Sequence, residues 1–114
     1  MARKNFKFLV NYRLNGGEKF GLGHAYRAIH LQQELKNKVE FFFIINNDKY
    51  LEKLFSSNNL NYIKLYKLNS HREKKLLTYK NPNLIIFDIL NTKSNNIDYY
   101  SKKNIKTLSF EDLG

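Results

Sequence analysis

Gly21-Leu22-Gly23-His24, with Arg27 three residues further on, combines residue types and spacing that can do chemistry. The glycines let the backbone turn sharply and come close to a ligand. The periodicity that follows predicts a helix opening at about Gly23 or His24. Its first-turn amides have no internal partners and favour negative charge. His24 falls in that turn, where the positive end of the helix dipole favours a neutral imidazole able to accept a proton. Arg13 and Asn15 precede the glycines, Asp88 follows the apolar run Leu84–Phe87, and Glu111-Asp112 follows Ile105–Phe110. Each candidate also has a purely structural role open to it: His24 can clip a loop, Arg27 can face solvent, and Asp88 can cap the next segment. His30 and His71 read as surface histidines.

The elements that must position these residues follow from hydrophobic pattern. Phe6–Asn11 reads as a first strand and Tyr12–Leu22 as a loop. The first helix runs to about Asn37, with Ala25, Ala28, Ile29, Leu31, Gln32 and Leu35 on one arc and His30 on the solvent side. Val39–Ile45, apolar except for Glu40, is expected to be a strand buried on both faces. Asp48 is a good N-cap for a helix to about Ser57, with Tyr50, Leu51, Leu54 and Phe55 inward. A strand at Asn61–Tyr66 precedes a helix capped by Ser70, carrying Leu76, Leu77 and Tyr79 and ended by Pro82. Leu84–Phe87 is the fourth strand, Ser94–Lys103 a helix offering Ile97, Tyr99 and Tyr100, and Ile105–Phe110 the fifth strand. Alternating strands and helices predict one α/β domain: a Rossmann-like parallel sheet of about five strands with helices on both faces. Sites in such sheets form outside the carboxyl ends of the strands, where strand order reverses. The Arg13–His24 loop, Asn46–Asp48, Asp88 and Glu111-Asp112 all collect there.

Composition narrows the function classes. The 114 residues are 42% hydrophobic and 15% aromatic, a globular composition, and no Cys is present, which excludes disulfides and Cys-ligated metals. The longest apolar run, Val39–Ile45, is too short to span a bilayer, and a cytoplasmic location is expected. The formal charge of +10 invites a phosphate-bearing or acidic partner. Yet the lysines are scattered, and abundant Lys, Asn, Ile, Phe and Tyr with one Pro and no Trp fits AT-rich coding, so no specific nucleic-acid partner is expected. Gly21-x-Gly23 is not a dinucleotide fingerprint, because Tyr26 stands at the third glycine and Asp48 is late for the ribose acid. No P-loop and no metal-ligand spacing occurs, and no cofactor is implied.

Three blocks in order, Gly21-Leu22-Gly23-His24-x-x-Arg27 behind Arg13, Leu84-Ile85-Ile86-Phe87-Asp88, and Leu108-Ser109-Phe110-Glu111-Asp112, carry a resemblance. Together they resemble the nucleotide-sugar hydrolases of pseudaminic acid biosynthesis and their relatives in surface and spore-coat polysaccharide synthesis. The resemblance implies the amino-terminal domain of a glycosyltransferase B fold, with a second, carboxyl-terminal UDP-binding domain supplied in cis or in trans. It implies a UDP-sugar as substrate, His24 as the base, and Arg13, Asn15, Gly21, Gly23, Arg27, Asp88, Glu111 and Asp112 around the substrate. Two positions depart from the family pattern. Asn15 replaces an Asp, and Ile89-Leu90 replace a His-Tyr pair after the fourth strand. With these departures, either the substrate differs, or the reaction differs (hydrolysis or transfer), or activity has been lost. The alternative is a non-catalytic basic domain that binds polysaccharide or nucleic acid and keeps the fold without the chemistry.

Overall fold

The computed structural model describes residues 7–67, 71–89 and 99–110. Strands β1 (Phe8–Leu14), β2 (Val39–Asn46), β3 (Tyr62–Leu65), β4 (Leu84–Asp88) and β5 (Lys106–Ser109) alternate with helices α1 (Gly23–Leu35), α2 (Lys49–Ser57) and α3 (His71–Leu77). All pairings are parallel, in the order β3-β2-β1-β4-β5. This is the expected Rossmann-like α/β sheet. Strand order reverses between β1 and β4, where Leu14 lies in register with Asp88, so these two carboxyl ends form the switch point.

Each face of the sheet has its own core. Val10, Tyr12, Leu14, Phe41, Phe43, Ile45 and Ile86 pack beneath α1 and α2, with Ala25, Ala28, Ile29, Leu51 and Phe55 supplied by those helices. Ile44, Leu65, Ile85 and Phe87 pack with Leu77, Tyr100 and Ile105 on the other face. Tyr12 and Phe43 sit 5.4 Å apart, and Phe43 meets Phe55 edge-on at 5.1 Å, an arrangement aromatic rings prefer.

Several element boundaries differ from the sequence pattern. β1 continues three residues beyond Asn11, because it pairs with β2 on one side and β4 on the other. Ladder bonds on both edges hold polar residues that local pattern assigns to a loop. Tyr50 is 55% exposed instead of inward, while Leu51 and Phe55 are buried. α3 ends at Leu77, well before Pro82, and Lys80 and Asn81 take positive φ in the turn that follows. Asp48 does cap α2, accepting from the Leu51 amide at 2.9 Å. Ser70, Leu90, residues 94–98 including Ile97, and Glu111-Asp112 lie outside the described residues; residues 99–101 are helical.

Candidate functional site

The loop between β1 and α1 is shaped by its glycines and by the end of β2. Gly17 and Gly21 exchange backbone hydrogen bonds of 2.8 and 2.7 Å, both at positive φ. Asn46 clamps the loop from below. Its Oδ1 accepts from the Gly16 amide at 2.8 Å and its Nδ2 donates to the Gly16 carbonyl at 2.9 Å. Asp48 Oδ2 accepts from the Glu18 amide at 3.0 Å. A Cβ on Gly17 would come within 2.0 Å of the Asp48 carboxyl carbon, so both space and φ require glycine there. Bonds from the Leu51 and Glu18 amides hold the Asp48 carboxyl below its ordinary pKa, against the opposing effect of burial. Asn46 and Asp48 thus serve the site as scaffolding. The sequence signal of Asn46 is only its place after a strand, whereas Asp48 is also legible as the cap of α2.

α1 then begins with no side-chain cap and no acidic residue in its first turn. Gly21 and Gly23 have open space where a Cβ would stand. Asn15 Oδ1 is buried and has no hydrogen-bond partner among the described residues. An open depression of about 640 Å³ lies beside the loop, lined by Glu18, Phe20, Asn46, Asn47, Asp48 and Tyr66 among others.

At the centre stands Asp88, fully buried at the end of β4. Oδ1 lies 2.5 Å from His24 Nδ1 and 2.6 Å from Arg27 Nη2. Oδ2 accepts from Tyr12 Oη at 2.7 Å and from Arg27 Nε at 3.0 Å. Arg27 therefore grips the carboxylate with two bonds, the strong geometry for this pair. Its guanidinium also lies 4.7 Å from the Phe110 ring centroid, within cation–π range. Helical spacing places His24 and Arg27 on the same face one turn apart. The alternation of β1 turns Tyr12 to that same side of the sheet. Burial alone would raise the Asp88 pKa, but hydrogen bonds from Arg27, Tyr12 and His24 outweigh it and hold the carboxyl below its ordinary value. Tyr12 is pushed strongly upward by burial first and by the neighbouring carboxylate second, so it stays a donor.

The structure thus brings together His24, Arg27 and Asp88, with Gly21, Gly23 and Asn15 in the adjoining loop. Arg13 is elsewhere. Its side chain is 1% exposed on the opposite face of the sheet, with Nε 2.9 Å from Glu73 Oε2 of α3 and Nη1 donating to the Leu14 carbonyl at 2.5 Å. A substrate-contacting role for Arg13 does not fit that placement: one residue of strand alternation carries it away from Tyr12 and Leu14. Burial lowers its pKa and Glu73 opposes that shift; an arginine remains charged regardless. Tyr12 is the member of the cluster that the sequence reading did not identify, since it was assigned to a loop. Glu111 and Asp112 lie outside the described residues.

Among the described residues, no group of three or more His, Cys, Asp or Glu is gathered in a way that could hold a metal ion. No helix among them is long and apolar enough to cross a membrane. A histidine braced by a buried carboxylate, beside an uncapped helix start, can exchange a proton next to a bound anion. No protein-family model, curated protein or solved structure matches this chain, so the reading of its site rests on the geometry above and on the motif resemblance.

Proposed function

We propose that this chain is the amino-terminal catalytic half of a nucleotide-sugar hydrolase or glycosyltransferase-like protein acting on a UDP-sugar. His24 is its general base. The observation that carries the reading is the 2.5 Å contact between His24 and the buried Asp88 carboxylate at the switch point of the sheet. A histidine in ordinary surface surroundings would have no such brace. His24 takes a proton from water or from an acceptor hydroxyl as it attacks the anomeric carbon. The bond to the UDP oxygen breaks, and the charge on the departing diphosphate is met by amides and basic groups. The open first turn of α1 supplies amides, and the uncrowded Gly21 and Gly23 leave room for that charge. The second half of the fold, in the same chain or another, binds most of the UDP on this reading.

Release of UDP from UDP-sugars by the complete two-half protein, with His24 intact and with His24→Asn, tests the proposal. Removal of a general base lowers kcat by about 10²- to 10⁴-fold, while the melting temperature holds. Wild-type turnover by a stably folded His24→Asn protein overturns the catalytic role, and no UDP release from any UDP-sugar overturns the function.

A further inference from the structure

Asp88 has the geometry of an internal brace and not of a substrate ligand. An ionised carboxylate offers about four lone-pair sites. Here four donor contacts fill them: Tyr12 Oη and Arg27 Nε on Oδ2, Arg27 Nη2 and His24 Nδ1 on Oδ1. The residue is also 0% exposed. Neither a free acceptor site nor an open path is left for a ligand hydroxyl.

Two rival hydrogen-bond patterns meet at His24 Nδ1. In one, Nδ1 carries the proton and donates to Asp88. In the other, Nδ1 is bare and accepts from Arg27 Nη2, which lies 3.2 Å away. The distances decide between them. A bare Nδ1 would set its lone pair against a carboxylate oxygen at 2.5 Å, a repulsive contact with no proton between the atoms. That separation is short even for a charge-assisted bond. Arg27 Nη2 has a second N–H to offer, but its 3.2 Å approach to Nδ1 is much longer than the 2.5 Å contact of Nδ1 with Asp88 and than its own 2.6 Å bond to that carboxylate.

We propose that Asp88 is a positioning residue that holds His24 in the Nδ1–H tautomer, so that Nε2 is the nitrogen that takes the proton in catalysis. Arg27, through Nε and Nη2, and Tyr12 keep the carboxylate ionised and aimed. The catalytic consequence rests on the function proposed above, but the tautomer does not. The proton travels from the attacking hydroxyl to Nε2 and goes no further, because an Asp88 held by four donors has no site to receive it.

Nitrogen NMR of the chain labelled with ¹⁵N-histidine reads the tautomer without substrate. His30→Gln and His71→Gln, both at exposed positions, assign the remaining resonance. At a pH where the His24 shifts have reached their basic plateau, Nε2 is expected far downfield as a bare nitrogen and Nδ1 upfield as a protonated one. The reverse order, or two averaged shifts, overturns the proposal. In Asp88→Ala the nearest charged donor to Nδ1 is Arg27, and the tautomer is expected to switch to Nε2–H. A folded Asp88→Ala chain that keeps the Nδ1–H form also overturns it. Should that variant not fold, the wild-type spectrum decides alone. An Nδ1–H tautomer in a protein that releases no UDP sinks the proposed function and leaves this inference standing.

Discussion

At the scale of single residues, the molecule commits one carboxylate to one task. Asp88 is buried and ionised, and its stability contribution depends on pH with a definite sign. Its folded pKa is depressed by Arg27, Tyr12 and His24 against the cost of burial. Its contribution is therefore complete above the ordinary carboxylate value of about 3.9 and is lost as pH falls through the folded value. Asp88→Asn keeps the shape and removes the charge. It is expected to cost about 1–3 kcal/mol near neutral pH, less than breaking a fully buried pair, since Arg27 is 37% exposed. Urea unfolding of both proteins between neutral pH and pH about 3 measures this. The wild type loses stability toward acid and the variant has a flatter profile there. Parallel acid profiles would mean that Asp88 is not held ionised.

At the scale of elements, the two faces of β1 do different work. Tyr12 joins the site beneath α1, while Arg13 ties the strand to α3 through Glu73. The Arg13–Glu73 pair is buried at both ends, so removing Arg13 takes a neutralising charge away from a desolvated carboxylate. Arg13→Met is expected to cost about 3–5 kcal/mol, and adding Glu73→Leu to recover most of it, because an apolar pair replaces a desolvated one. Denaturant unfolding of the two single variants and the double closes the cycle. A double variant no more stable than Arg13→Met would show that the pair contributes more than it costs to bury. The same reasoning explains why β1 outlasts its apolar run. Asn11 donates to the carbonyls of Leu77 and Tyr79, and Arg13 to Glu73, so polar residues inside a central strand are satisfied from α3 and the turn that follows it.

At the scale of the whole molecule, the charge of +10 comes from basic residues scattered along the sequence. Several lysines lie against exposed rings, Lys64 over Tyr66 at 5.4 Å and Lys80 over Tyr79 at 5.6 Å among them, and Lys64 is also paired with Glu52 at 3.2 Å. These lysines are engaged locally by rings and carboxylates. Binding to duplex or single-stranded nucleic acid is expected to be weak, salt-dependent and without sequence preference, as fluorescence anisotropy at physiological salt would read it. Tight binding to one sequence would favour the non-catalytic binding domain over the enzyme.

Local pattern determined the fold class and the place of each described strand. Runs such as Val39–Ile45 and Leu84–Phe87, spaced by helical periodicity, admit few arrangements other than an α/β sheet. It also located His24 at a helix start and Asp48 at a cap, since both depend on neighbours a few residues away. What it could not determine was which strands lie side by side and which face each residue meets. With the first strand ended at Asn11, alternation had no purchase on Tyr12 and Arg13. Only pairing with β2 and β4 carries the strand to Leu14 and sends those two side chains to opposite faces. Asp88 is 64 residues from His24 along the chain. Their contact exists because β4 crosses over to pair with β1, and strand order is set by how the whole sheet packs, a quantity no local window of sequence contains.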